Sequence, residues 1–270
     1  MGTLNPPELQ LEVGRAPAPL PDGEPSEVWR DEAGGVIASG WLRGDLRSLA
    51  FPGLGVYEFS AGGRGPVVAS AEPGAWVPHV VDTFRRSVLP LALQVRGAEV
   101  LHASGVVIRQ RVVALCAVSG TGKSTLARAL GGRGHRLWAD DAVAFDGAHA
   151  LPLPFQLKLR PRSSEWFGEP ALSPLYGGLE RHPLGAICVL TRIGAQGDRV
   201  DCLRLTPSAA FPHLIRHAYC FSLADLNRKR DMMERYLRLA AEVPVFELRF
   251  PEGLERLDEM CEAIEQAACL

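Results

Sequence analysis

Apolar residues follow two rhythms along this chain, and the change of rhythm divides it. Up to about residue 72, short apolar runs such as "GVIASGWL" and "PGLGVYEFS" lie between glycines and prolines. Short runs bounded by turn residues predict strands. Residues 1–72 therefore read as a small β-rich N-terminal module. Its first ~25 residues, with "NPPELQ" and "RAPAPLPDGEP", read as a loose tail. In "VPHVVDTFRRSVL", Val77, Val80, Val81, Phe84 and Val88 recur at helical spacing, which predicts a connecting helix within 73–96.

From residue 97 onward, β-branched runs alternate with helical ones. "EVLHASGVVI" and "RVVALCAV" predict two adjacent strands joined by the polar turn "RQR". "STLARALGGRG" predicts a helix closed by glycines. "HRLWADDAVAFDG" predicts a strand ending in acids, and "LPFQLKLRP", "PLGAICVLTRI", "DCLRLTP" and "VPVFELRF" predict further strands. "PSAAFPHLIRHAYC", "LNRKRDMMERYLRLAAEV" and "LERLDEMCEAIEQAA" predict helices, with Met232, Met233, Tyr236, Leu237 and Leu239 as core. Strand, loop, helix and strand in this order predict an α/β domain over 97–270.

Composition narrows the function. Hydrophobic residues make up 47% and charged residues 22%, enough for a buried core and unlike a disordered chain. The formal net charge of −2 lacks the basic footprint of a nucleic-acid binder. "MGTLNPPELQ" carries no basic and apolar leader, and the apolar run Val112–Val118 is far shorter than a bilayer span. The six cysteines form no CxxC pair and read as reduced thiols. A cytoplasmic protein, without nucleic acid or membrane as partner, is the expectation.

The stretch "CAVSGTGKST", residues 116–125, carries the chemistry. It follows the phosphate-loop pattern G-x-x-x-x-G-K-[ST], with Ala117 in place of the first glycine. Gly120 and Gly122 let backbone amides turn inward around phosphate oxygens, joined by Ser119, Thr121 and Thr125. The helix that follows offers its N-terminus to the anion. Lys123 suits the outer phosphates and the Ser124 hydroxyl suits Mg²⁺, so ATP and Mg²⁺ are the expected ligands.

Asp140 and Asp141 in "WADD" stand at the end of the next strand, where an α/β sheet opens its ligand crevice. One carboxylate suits Mg²⁺, the other the proton of an attacking hydroxyl, and strand alternation gives them different jobs. Alone, the pair is equally a solvated turn. His102 stands on the strand before the loop, and spacing alone makes it an ordinary polar strand residue.

Together, "LHASGVVI", "SGTGKSTLARAL" and "GHRLWADD" resemble the catalytic domain of the HPr kinase/phosphorylase family. The chain is most similar to its divergent members found among peptide-modification genes. The resemblance covers about residues 97–150 well. It implies a P-loop kinase domain of the HPr kinase and phosphoenolpyruvate carboxykinase-like type. It also implies a serine kinase acting on a protein or peptide, such as a ribosomal peptide precursor, and an oligomeric assembly. Asp140 would be the general base and Asp141 would hold Mg²⁺ with Ser124. His102 would orient Asp140 near the transferred phosphate, and Lys123 would stabilise phosphate charge. Thr125 stands where the bacterial enzymes carry an acid, and their glycine-rich segment has no clear counterpart. The reverse, phosphorylase reaction is therefore not implied.

Other clusters leave alternatives open. Lys158, Arg160 and Arg162 alternate along a predicted strand and suit either a phosphate clamp or a solvated face. Arg228, Lys229 and Arg230 read as an exposed helix start. His213, His217 and Cys220 share a helical face, where packing is favoured over a metal. Besides a peptide kinase, a small-molecule hydroxyl kinase and a nucleotide-dependent switch fit the same loop.

Overall fold

A computed structural model describes residues 10–14, 19–63, 65–176, 180–194, 199–221 and 225–269. The chain is mixed α/β and divides into two compact units. The first is Met1–Ala98 with Tyr219–Arg230, and the second is Glu99–Ala218 with Asp231–Leu270. The sequence reading set 73–96 apart as a connector and kept 97–270 in one block. Here the 77–95 helical segment falls within the first unit, and a short downstream segment is grouped with it.

In the first unit, six strands form one sheet in the order β1-β6-β5-β4-β3-β2 among the described residues. They are β1 (Leu11–Val13), β2 (Glu27–Arg30), β3 (Val36–Arg43), β4 (Leu46–Phe51), β5 (Gly55–Ser60) and β6 (Val67–Ala71). Part of the expected N-terminal tail, 1–9 and 15–18, lies outside the described residues. Leu11–Val13 is no tail, since it pairs parallel with Val67–Ala69. The helical segment runs from α1 (Val77–Thr83) through a π-helical turn (Phe84–Val88) into α2 (Leu89–Val95). Pro90 stands in the first turn of α2, where its missing N–H costs nothing. Tyr57 ties sheet to helix by donating its hydroxyl to Val80 O at 2.9 Å.

The second unit centres on a larger sheet in the order β10-β8-β9-β13-β12-β11-β7, with β15 also pairing β13 and β14 pairing β15. Its strands are β7 (Glu99–Leu101), β8 (Ala103–Ile108), β9 (Arg111–Cys116), β10 (Arg136–Ala139), β11 (Val143–Asp146), β12 (His149–Leu151), β13 (His182–Arg192), β14 (Asp201–Arg204) and β15 (Val245–Phe250). Arg109 and Gln110 take positive φ values of 49° and 64°, which closes the β8–β9 hairpin as a two-residue turn. The helices are α3 (Lys123–Gly132), α4 (Pro161–Phe167), α5 (Pro207–Arg216), α6 (Leu226–Glu242) and α7 (Leu257–Ala267). Leu126 and Leu130 of α3 and Met260 and Ile264 of α7 pack on Leu115, Cys188 and Leu248 of the central strands.

Several expectations change. "HRLWADDAVAFDG" is two strands in different pairings, with Asp140 and Asp141 between them. "LPFQLKLRP" is not a ladder strand; it makes isolated bridges at Phe155 and Lys158. Arg162 lies in α4, so Lys158, Arg160 and Arg162 do not alternate along one strand face. Helix α5 stops at Arg216, so Cys220 does not share its face, and no metal-binding cluster occurs among the described residues. Leu237 is exposed, because the inward stripe of α6 runs through Met232, Tyr236 and Leu239. No helix among the described residues is long and apolar enough to cross a membrane.

Sheet direction positions the chemistry. Strand β13 runs parallel to β9, while β8 runs antiparallel to β9 and β10 antiparallel to β8. The C-terminal ends of β9, β10 and β13 and the N-terminal end of β8 therefore share one sheet edge. Ala117, Asp140, Arg192 and His102 all stand at or just beyond that edge.

Candidate phosphate-binding and transfer site

The loop from Ala117 to Gly122 joins β9 to the first turn of α3. Gly120 and Gly122 adopt φ values of 86° and 122°, which side chains rarely tolerate. The amides of Ser119, Gly120 and Gly122 donate to no protein acceptor among the described residues. Three such donors beside a helix N-terminus are an arrangement that can receive an anion. Arg192, at the end of β13, donates to the carbonyl oxygens of Gly120 and Thr121 at 3.2 and 3.3 Å. Those contacts keep two loop carbonyls turned toward the arginine. Thr121 is buried within the loop, its amide donating to Val118 O. The Thr125 hydroxyl, expected among the phosphate ligands, is instead paired with Ser163 Oγ at 2.8 Å.

Lys123 is buried, with two of its ammonium protons engaged. It donates to Ala117 O and to His102 Nε2, both at 3.0 Å. Burial pulls its pKa below the ordinary lysine value. On the other side of the ring, His102 Nδ1 stands 3.1 Å from Asp141 O. A carbonyl only accepts, so Nδ1 carries the proton and Nε2 presents its lone pair to the lysine. Burial first, and the Lys123 charge second, bring the imidazole down to about 4, so it is neutral at physiological pH.

Asp140 is the best-held acid of the site. Ser104 Oγ and Ser124 Oγ donate to its Oδ1 at 2.6 and 2.8 Å, and Lys158 N donates to its Oδ2 at 3.0 Å. The carboxylate is buried. Asp141 follows with φ 65°, which breaks strand alternation. The resemblance implied Asp141 as the acid holding Mg²⁺ with Ser124; the acid that Ser124 Oγ contacts is Asp140. A hydroxyl and a carboxylate 2.8 Å apart at a helix N-terminus are a hard-oxygen pair that fits Mg²⁺ and its water shell.

Three neighbours were not placed at this site from sequence. Ser104 lies two residues beyond His102, and period-two spacing is the signal that finds it. Arg192 depends on the β13–β9 pairing, which no local pattern announces. His217 was read as packing; its carbonyl accepts from His102 N at 2.7 Å. Its buried ring is lowered to about 4, by burial first and then by His102 and Lys123.

No family model matches this chain, and no curated protein matches it. Among solved structures it is similar to one described as the Hpr(Ser) kinase/phosphatase from Coxiella burnetii. That alignment has 17% identity, covers 63% of this chain and 88% of the other, and has a TM-score of 0.35.

Proposed function

We propose that this protein is an MgATP-dependent phosphotransferase with an alcohol acceptor, a serine kinase acting on a protein or peptide. The observation that carries the reading is the Ser124–Asp140 contact at the start of α3, with Lys123 and His102 beside it. A glycine loop alone binds phosphate; a loop joined to two acids and a neutral histidine suits transfer. The peptide acceptor rests on the resemblance of "LHASGVVI", "SGTGKSTLARAL" and "GHRLWADD" to the HPr kinase/phosphorylase family. A ribosomal peptide precursor as substrate, an oligomeric assembly and a cytoplasmic setting belong to the same reading.

The roles divide by geometry. Loop amides and Lys123 hold the phosphate chain, the lysine leaving Ala117 O and His102 Nε2 to do so. Mg²⁺, when bound, neutralises charge on the phosphates. Ser124 and Asp140 are the residues that would hold it. The resemblance gave the base to Asp140, but three donors already fix that carboxylate. We therefore assign the base to Asp141, which takes the acceptor hydroxyl proton as the terminal phosphoryl group passes to oxygen and ADP leaves. His102 orients Asp141 through its carbonyl. The test is incubation with γ-labelled ATP, Mg²⁺ and candidate peptides, read by mass spectrometry. Phosphoserine formed by the wild type and lost in Asp141→Asn is the expected result. Nucleotide bound without transfer to peptide or small molecule would leave a switch module as the function.

A further inference from the structure

We propose that Arg160 is a phosphate-binding cation supplied to the glycine loop by the segment before α4, an inference that rests on the nucleotide reading above. Its placement is built. Leu157 and Leu159 are buried on either side of Lys158, and Lys158 N donates to Asp140 Oδ2 at 3.0 Å. Leu159 N donates to Ala171 O at 2.7 Å. The backbone leading into Arg160 is thus pinned to the carboxylate that Ser124 also contacts. Arg160 then projects onto the loop. A methyl group placed on Gly120 would stand 2.9 Å from both of its terminal nitrogens.

The charge environment is the second observation. Arg128, Arg133 and Arg192 each pair with a carboxylate, namely Glu169, Glu265 and Glu252. Among the described residues the Arg160 guanidinium has neither a carboxylate partner nor a hydrogen-bond acceptor. Two cations beside loop amides that donate to no protein acceptor, one cation without a carboxylate partner among the described residues, suit an anion. The planar guanidinium fork matches phosphate oxygens in pairs, which an ammonium cannot do. The ligand class is the phosphate chain of a nucleoside triphosphate, rather than its base or sugar.

Calorimetric titration of the full chain tests this, with MgATP, metal-free ATP and AMP as probes. Arg160→Ala should weaken MgATP about tenfold, the size of one charge-assisted contact. AMP affinity should stay near the wild-type value, and Arg160→Lys should fall between. Arg160 is exposed, so wild-type melting is expected of each variant; Arg160→Gln replaces alanine if melting changes. Equal MgATP affinity in wild type and Arg160→Ala, with Lys123→Ala impaired, overturns the proposal and leaves the loop reading standing. A wild-type chain that binds none of the probes overturns both.

Discussion

Ser124 Oγ donates to Asp140 Oδ1 across 2.8 Å, while the main-chain carbonyl of Asp141 accepts from His102 Nδ1 at 3.1 Å. The Asp140 carboxylate is pinned, and the next residue's carbonyl fixes an imidazole tautomer.

The two acids should therefore separate by variant. Asp140→Asn turns one of the two acceptor oxygens into an NH₂ group, facing either the Ser104 and Ser124 hydroxyls on Oδ1 or the Lys158 N–H on Oδ2. We expect a stability loss of about 1–3 kcal/mol and MgATP affinity reduced toward that of metal-free ATP. Asp141→Asn should keep MgATP binding and lose transfer. Calorimetry with and without Mg²⁺, beside a transfer assay, checks both. An Asp140→Asn protein with undiminished magnesium dependence would remove Asp140 from the metal side.

The Lys123–His102 contact makes a spectroscopic prediction. The lysine charge disfavours the imidazolium, so Lys123→Met should raise the His102 pKa from about 4. It should stop short of the ordinary 6.5, because burial is the larger cause and remains. Imidazole nitrogen shifts followed by NMR across pH report it directly. A titration that does not move would show that the two groups do not interact in solution.

What could be read in advance was local. The turn at "RQR" and the run from β9 through the glycines into α3 are each encoded within a dozen residues. The assignment of Asp140 to Ser124 was not, because positive φ at Asp141 breaks the alternation that strand reasoning assumes. Arg192 and the Lys158 amide also escaped. Both reach the site through chain pairings, β13 on β9 and the 157–159 segment on Asp140 and 171–173, that no local spacing records. The amphipathic stripe of α6 was legible, yet Leu237 falls outside it, since composition alone does not fix which face turns inward.

In the first unit, Gly55 is the position least tolerant of a side chain. Its φ is 135°, and an added Cβ would meet Ser70 O of the paired strand at 2.2 Å. Relief requires parting β5 from β6. Gly44 has φ 58° and open space around it, so alanine there meets conformational strain alone. Gly44→Ala should cost about 1–2 kcal/mol and Gly55→Ala clearly more, above about 3 kcal/mol. Urea unfolding of the two variants checks the order; equal midpoints would contradict the close approach.

Acid should weaken the fold in two steps. His102 and His217 both lie at about 4 in the folded chain, below their ordinary 6.5. As pH falls below 6.5 the unfolded chain binds protons that the folded chain refuses. Stability is therefore full above about 6.5 and declines toward pH 4, by up to ~1.4 kcal/mol per pH unit for each histidine. Glu169, Glu247 and Glu265 are also lowered, below 4.5, by hydrogen bonds and charge from their arginine and other partners. Their stabilisation is present above 4.5 and lost only beneath it. The decline between pH 6.5 and 5 thus belongs to the histidines. Urea midpoints measured at pH 7.5, 6 and 5 should fall in the wild type and fall about half as steeply in His217→Gln, where His102 remains. A wild-type midpoint that holds level from pH 7.5 to 5 would show that neither ring is kept neutral by the fold.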